Sequence, residues 1–237
     1  SVYSEGKWRE TTAVNNTGYA EFSPSLYKKG EDIFLIYQQA TEIFSDDADA
    51  DKVTGAVGIA LSKLDKETMT FGETKVLYDA DGYNFSLASD KGYSVWYHNM
   101  DGDPFGNTNN NNIVLFDGEE SKVIKEGLPH ILALRIGNIS GETYIAYTLE
   151  GDGNYETNGD TRLYLLDVNG GEPVLVSEGN IETVQFTDYN NGMLVWQNGT
   201  RLYSVAAAGE SPTEFAQEEI SDVCPICGKP AKHMIYW

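Results

Sequence analysis

Residues 130–148, HILALRIGNISGETYIAYT, with TRLYLLD at 161–167, decide the fold. Two short runs rich in β-branched and aromatic residues flank Gly141, and a glycine there supplies the positive φ that a tight hairpin needs. The stretch predicts a strand, a turn, a second strand and, beyond a polar segment, a third. The second-strand run has relatives elsewhere in the chain: EDIFLIYQ, GYSVWYH, GETYIAYT, GMLVWQ and KHMIYW. Their aligned aromatics are Tyr37, Tyr97, Tyr147, Trp196 and Tyr236, spaced by 60, 50, 49 and 40 residues. Gly30, Gly92, Gly141, Gly192 and Gly228 precede them, and EFSPSLY, NFSLAS, HILALRI, TVQFTDY and SDVCPI precede the glycines.

Third strands follow as VGIALSKLD, NNIVLFD, TRLYLLD and TRLYSVA, and fourth strands as TKVLYD, SKVIKE, PVLVSE and PTEFAQ. A four-strand unit repeated at this period, with no amphipathic helix, is the pattern of β-propeller blades. The opening SVYSEGKWRETTAV reads as a third strand, a turn and a fourth strand, whereas the chain closes on a first and a second. The two ends together make one blade, which predicts a single all-β domain, a five-bladed ring. Its blades span 20–81, 82–129, 130–179, 180–219, and 220–237 completed by 1–19. Closure removes exposed strand edges. A piece cut from a larger propeller would have the same ends and is the alternative.

Composition narrows the function. The chain has 237 residues, 41% of them hydrophobic, enough for a packed core. Against 37 acidic side chains stand 16 Lys and Arg, a net charge of -21. Such a field repels phosphates, so nucleic acid is excluded as a partner, and no run approaches the ~18 apolar residues of a membrane helix. The Tyr-, Asn- and Gly-rich, cysteine-poor composition suits a secreted or cell-surface bacterial protein whose signal or anchor is not in this sequence.

The alternation of SPSL with GEDIFLIYQ, DKETMTFGETKVLYD and YSEGKW resembles the sialidase-like and TolB-like propeller modules of large secreted or surface proteins in gram-positive bacteria. The resemblance implies a module attached to further domains and defines no activity. The sialidase box Ser-x-Asp-x-Gly-x-Thr-Trp is not met by YSEGKW, and only Arg9, Arg135, Arg162 and Arg201 are available for an arginine cluster.

Chemistry is expected where second-to-third loops and blade-to-blade connections emerge together. Three such loops are acidic. One holds Asp46, Asp47, Asp49 and Asp51, another Asp101 and Asp103, and a third Asp152, Asn154, Glu156 and Asp160. Calcium takes six to eight oxygens, and side-chain oxygens at alternate positions of a curled loop can supply them. Asp47, Asp49 and Asp51, and more so Asp152, Asn154, Glu156 and Asp160, are therefore candidate calcium ligands, with solvated acidic loops as the plainer reading. The same face carries the starts of the first strands, read as Glu21, Asn84, His130, Glu182 and Asp222. Of these, Glu21, Glu182 and Asp222 are the residues a propeller glycosidase would use as acid and base or nucleophile. His98 at a strand end and Trp237 are candidate ligand contacts. Cys224 and Cys227 in CPICGKP would need two further ligands to hold zinc and otherwise belong to the fifth blade turn. No organic cofactor is expected. The sequence is read as a non-catalytic module for a glycan or protein ligand, with calcium ordering its loops; a glycoside hydrolase and a structural spacer are the alternatives.

Overall fold

A computed structural model describes residues 3–4, 6–8, 21–40, 57–78, 82–101, 110–150, 161–188 and 191–214. Among them every regular element is a strand. A hairpin of β1 (Tyr3–Ser4) and β2 (Lys7–Trp8) turns at Gly6. A hairpin was expected of the opening, and among the described residues β1 and β2 form a two-stranded sheet of their own. The first blade comprises β3 (Glu21–Lys29), β4 (Asp32–Ala40), β5 (Val57–Asp65), the short β6 (Thr70–Phe71) and β7 (Lys75–Tyr78). The second has β8 (Tyr83–Asp90), β9 (Tyr93–Asn99), β10 (Asn111–Phe116) and β11 (Ser121–Leu128). In the third are β12 (Ile131–Ile139), β13 (Glu142–Glu150), β14 (Thr161–Asp167) and β15 (Val174–Gly179). The fourth holds β16 (Ile181–Thr187), β17 (Met193–Asn198), β18 (Arg201–Val205) and β19 (Thr213–Glu214). Each is an antiparallel meander of four strands in sequence order, with β6 pairing β5 as an addition. A parallel bridge, Val57 to Tyr83, joins the first two blades into one sheet. Residues 215–237, which would supply the fifth blade, lie outside the described residues.

First strands neighbour one another from blade to blade: β3 runs beside β8, β8 beside β12 and β12 beside β16. They are therefore the innermost strands. The cores lie between blades. Tyr27, Ile36, Ile59, Trp96, Val114 and Phe116 fill the first seam. Val95, Tyr97, Ile113, Leu134, Ile145 and Tyr147 belong to the second. Ala146, Leu163, Leu165, Val184, Leu194 and Trp196 belong to the third. The period of two explains the division: Ile145 and Tyr147 point into one seam and Ala146 into the next. The aligned aromatics Tyr37, Tyr97, Tyr147 and Trp196 are all buried, as blade-on-blade packing requires. Stacked rings, Tyr147 on Tyr164 and Trp196 on Tyr203, continue the contact from second to third strand.

Each first strand carries a register shift close to its start: between Phe22 and Ser25, Phe85 and Ala88, Ile131 and Ala133, and Ile181 and Val184. In the first two blades the bulge holds a serine with φ > 0, Ser23 at 51° and Ser86 at 55°. Left-handed backbone at a non-glycine residue costs about 1–3 kcal/mol and persists only where surrounding pairing enforces it. A bulge bends its strand and re-aims the side chains beyond it.

Candidate functional site at the rim of the inner strands

Antiparallel order puts the starts of first strands, the ends of second strands, the starts of third strands and the ends of fourth strands at one end of the blades. At this rim every described blade makes the same kind of contact, a polar side chain at the start of the first strand meeting one at the end of the second. Gln39 Nε2 donates to Glu21 Oε1 at 3.4 Å. His98 Nδ1 lies 3.1 Å from Asn84 Oδ1. His130 Nδ1 lies 3.2 Å from Glu150 Oε2. Gln197 Nε2 donates to Glu182 Oε2 at 3.1 Å, while Asn180 Nδ2 donates to Oε1 at 2.9 Å. Glu21 pairs with Gln39, and Asn84 with His98, directly across the ladder.

The four pairs differ in exposure. Glu21 and Glu182 are exposed. Asn84 is fully enclosed: its Nδ2 donates to the Val57 carbonyl at 2.5 Å and its own carbonyl accepts from Gln38 Nε2. With Nδ2 so engaged, Oδ1 is the atom that faces His98, which makes His98 Nδ1 the donor. His98, a candidate ligand contact in the sequence, is 1% exposed, edge-on to Tyr78 and covered by Gly82. Gly82 has φ +125°, and a Cβ there would stand 2.5 Å from the Asn99 carbonyl oxygen and 3.0 Å from His98 Cε1. The absent side chain lets the backbone lie over the imidazole, which shields it from the rim surface. Asn99 and Asn111 are buried beside it, Asn99 Nδ2 donating to Asn111 Oδ1 and Asn111 Nδ2 to the Pro129 carbonyl.

Cations are arranged differently. Lys28, Lys29, Lys63, Lys66, Lys75, Lys91 and Lys122 all lie toward the opposite end of the blades. At the rim, Arg162 Nε stands 3.0 Å from Glu178 Oε1, at an angle that makes it an ion pair rather than a hydrogen bond. Arg201 Nη1 donates to Glu214 Oε2 at 3.0 Å. These arginines occupy equivalent third-strand starts, and each ties its strand to the fourth.

Of the residues singled out in the sequence, the structure brings Glu21, Asn84, His98, His130 and Glu182 to one rim. Asp222, Trp237, Cys224, Cys227, Asp47, Asp49, Asp51, Asp152, Asn154, Glu156 and Asp160 lie outside the described residues. Among those described, no three His, Cys, Asp or Glu side chains are grouped to hold a metal ion. The second-strand partners Gln39, Glu150 and Gln197 were not read from the sequence. Their signal was available, because each lies within three residues after an aligned aromatic.

Comparison with solved structures places the architecture. A family 117 glycoside hydrolase from the marine bacterium Zobellia galactanivorans superposes with a TM-score of 0.50 over 83% of this chain and 69% of that one, at 11% identity. A Trypanosoma rangeli sialidase does so with a TM-score of 0.50 over 83% of this chain and 38% of that one, at 9% identity. The chain has the fold of the propeller-type hydrolases. At these identities the likeness shows the propeller and no activity. No family model matches the chain. Two curated relatives match short stretches. The proline–tRNA ligase of Clostridium novyi is 51% identical over 37 residues, 16% of this chain and 8% of the ligase. That of Lachnospira eligens is 74% identical over 23 residues, 10% of this chain and 5% of the ligase. The chain thus spans less than a tenth of the ligases it matches.

Proposed function

We propose that this propeller is a non-catalytic glycan-binding module of a secreted or cell-surface protein, and that its ligand sits on the rim of the inner strands. The observation that carries the reading is the repetition at that rim: in each described blade a bulged first strand starts from a polar pair. The solvent-facing carboxylates and amides of Glu21 with Gln39 and of Glu182 with Gln197 offer the mixed acceptors and donors that sugar hydroxyls satisfy. The held arginines and the chain's negative charge favour an uncharged glycan over an acidic one. Calcium bound by the acidic loops that leave the same end of the blades, at Asp47, Asp49 and Asp51 and at Asp152, Asn154, Glu156 and Asp160, would order the rim further. Zinc at Cys224 and Cys227 forms no part of this reading.

Exposure supports binding over hydrolysis. A glycosidase keeps its acid in an apolar enclosure and within about 10 Å of its partner carboxylate. Glu21 and Glu182 are instead open to solvent, separated in the chain by two intervening blades, and each is engaged by a glutamine amide. The test is a glycan array with the intact chain, followed by titration of the brightest neutral oligosaccharide into wild type, Glu21→Gln and Glu182→Gln. The expected result is binding weakened roughly tenfold by either substitution, as for the loss of a hydrogen bond to a charged group. Absence of any array signal overturns the reading. Release of chromophore from aryl glycosides, abolished by Glu182→Gln, would make the protein a hydrolase instead.

A further inference from the structure

We infer that the contact between Asp90 and Asn138, at the end of the blades opposite the rim, is a stitch between the second and third blades whose cost to the folded state falls on acidification. Asp90 ends β8, with Tyr93 as its partner across the hairpin. Asn138, on β12, is 4% exposed, and its Nδ2 donates to Asp90 Oδ2 at 2.7 Å. Its amide is fixed from the other side, since Thr143 Oγ1 donates to Asn138 Oδ1 at 3.4 Å. Gly192 closes over the Asn138 carbonyl so tightly that a Cβ there would collide with it. Just beyond, Ser140 N donates to the Gly192 carbonyl at 3.4 Å and Ser140 Oγ to the Ala206 carbonyl at 2.7 Å, anchoring the same turn to the fourth blade. Asn138 is thus held by three blades, and the charge on Asp90 is the variable part of the contact.

The groups acting on that charge are Lys91, next in the chain, and Asp188, just past β16. Burial raises the Asp90 carboxyl above its ordinary value; Lys91 and the Asn138 hydrogen bond oppose this, and Asp188 adds to it. A carboxyl raised by folding contributes stability that is full below the unfolded value of about 3.9 and is lost as pH rises through the folded value. Protonation relieves desolvation and the repulsion from Asp188, while the carboxyl carbonyl oxygen still accepts the Asn138 N–H.

The experiment is a carbon-detected NMR titration of the Asp90 carboxyl in the full chain, paired with urea melts of wild type and Asp90→Asn. Asp90 is expected to titrate above the ordinary aspartate value, to move down in Asp188→Asn and to move up in Lys91→Met. Asp90→Asn is expected to raise the urea midpoint near neutral pH, an advantage that closes by about pH 4. Titration of Asp90 at or below the ordinary value, or shifts of one sign in both neighbour variants, overturns the inference. The titration decides the matter even if Asp90→Asn fails to fold.

Discussion

Three aspartates occupy the same place in three blades, at or just past the end of the third strand, and each shapes the turn that follows. Asp65 Oδ1 accepts from the backbone N–H groups of Glu67 and Thr68 at 2.8 and 3.1 Å. Asp117 Oδ1 accepts from those of Glu119 and Glu120 at 3.0 and 3.1 Å, and Asp167 Oδ1 from that of Asn169 at 2.7 Å. These are Asx turns. The backbone donors, Thr68 then Glu67 for the first and Glu120 then Glu119 for the second, hold the Asp65 and Asp117 carboxyls below the usual value. The sign is opposite to that at Asp90: their stabilisation is full above the unfolded value of about 3.9 and is lost as pH falls through the lowered folded values. Asp65→Asn and Asp117→Asn should therefore each flatten the acid limb of stability, followed as urea midpoints between about pH 5 and pH 2. An acid limb as steep as wild type in both variants would count against the turns as its source. In the fourth blade the corresponding stretch, Ala206 to Gly209, has no aspartate.

At the scale of the strand, second and third strands carry most of the burial because each lies inside a blade with packing on both faces. First strands lie at the inner edges of the sheets, and fourth strands leave Val76, Val123, Val174 and Leu175 exposed at the outer edges. Leu134→Ala, on β12 in the seam between the second and third blades, should cost about 2–5 kcal/mol. Leu202→Ala, at half-exposed Leu202 on β18, should stay within about 0.5 kcal/mol. Urea denaturation of the two variants checks the contrast. This division also explains what the sequence disclosed. Tyr37, Tyr97, Tyr147 and Trp196 were legible because burial on both faces leaves a dense apolar run, and the turn glycines were legible because positive φ selects them. The bulges were not, since FSPS and FSLA read as continuous strand, and only cross-strand register shows the extra residues. Nor were the rim pairs, which join positions 14 to 20 residues apart. Buried His98 depends on Gly82, an approach between backbone and ring that no local pattern announces.

Over the whole molecule, a net charge of -21 makes self-repulsion a standing cost that counterions reduce. If the acidic loops bind calcium as proposed, chelation should lower the melting temperature and calcium, more than magnesium at equal concentration, should restore it. Equal recovery with magnesium would reduce the effect to general screening. The seams are also unequal. Between the first two blades, Val57 N donates to the Gly82 carbonyl at 3.1 Å and Val57 pairs with Tyr83 as strand neighbours. The second and third blades meet through side chains and turns. As a unit of gene duplication or circular permutation, then, the first two blades travel together: a new terminus between Tyr78 and Tyr83 would loosen the strand end that holds the Val57 bridge, whereas one at Pro129 would fall between the described strand ladders.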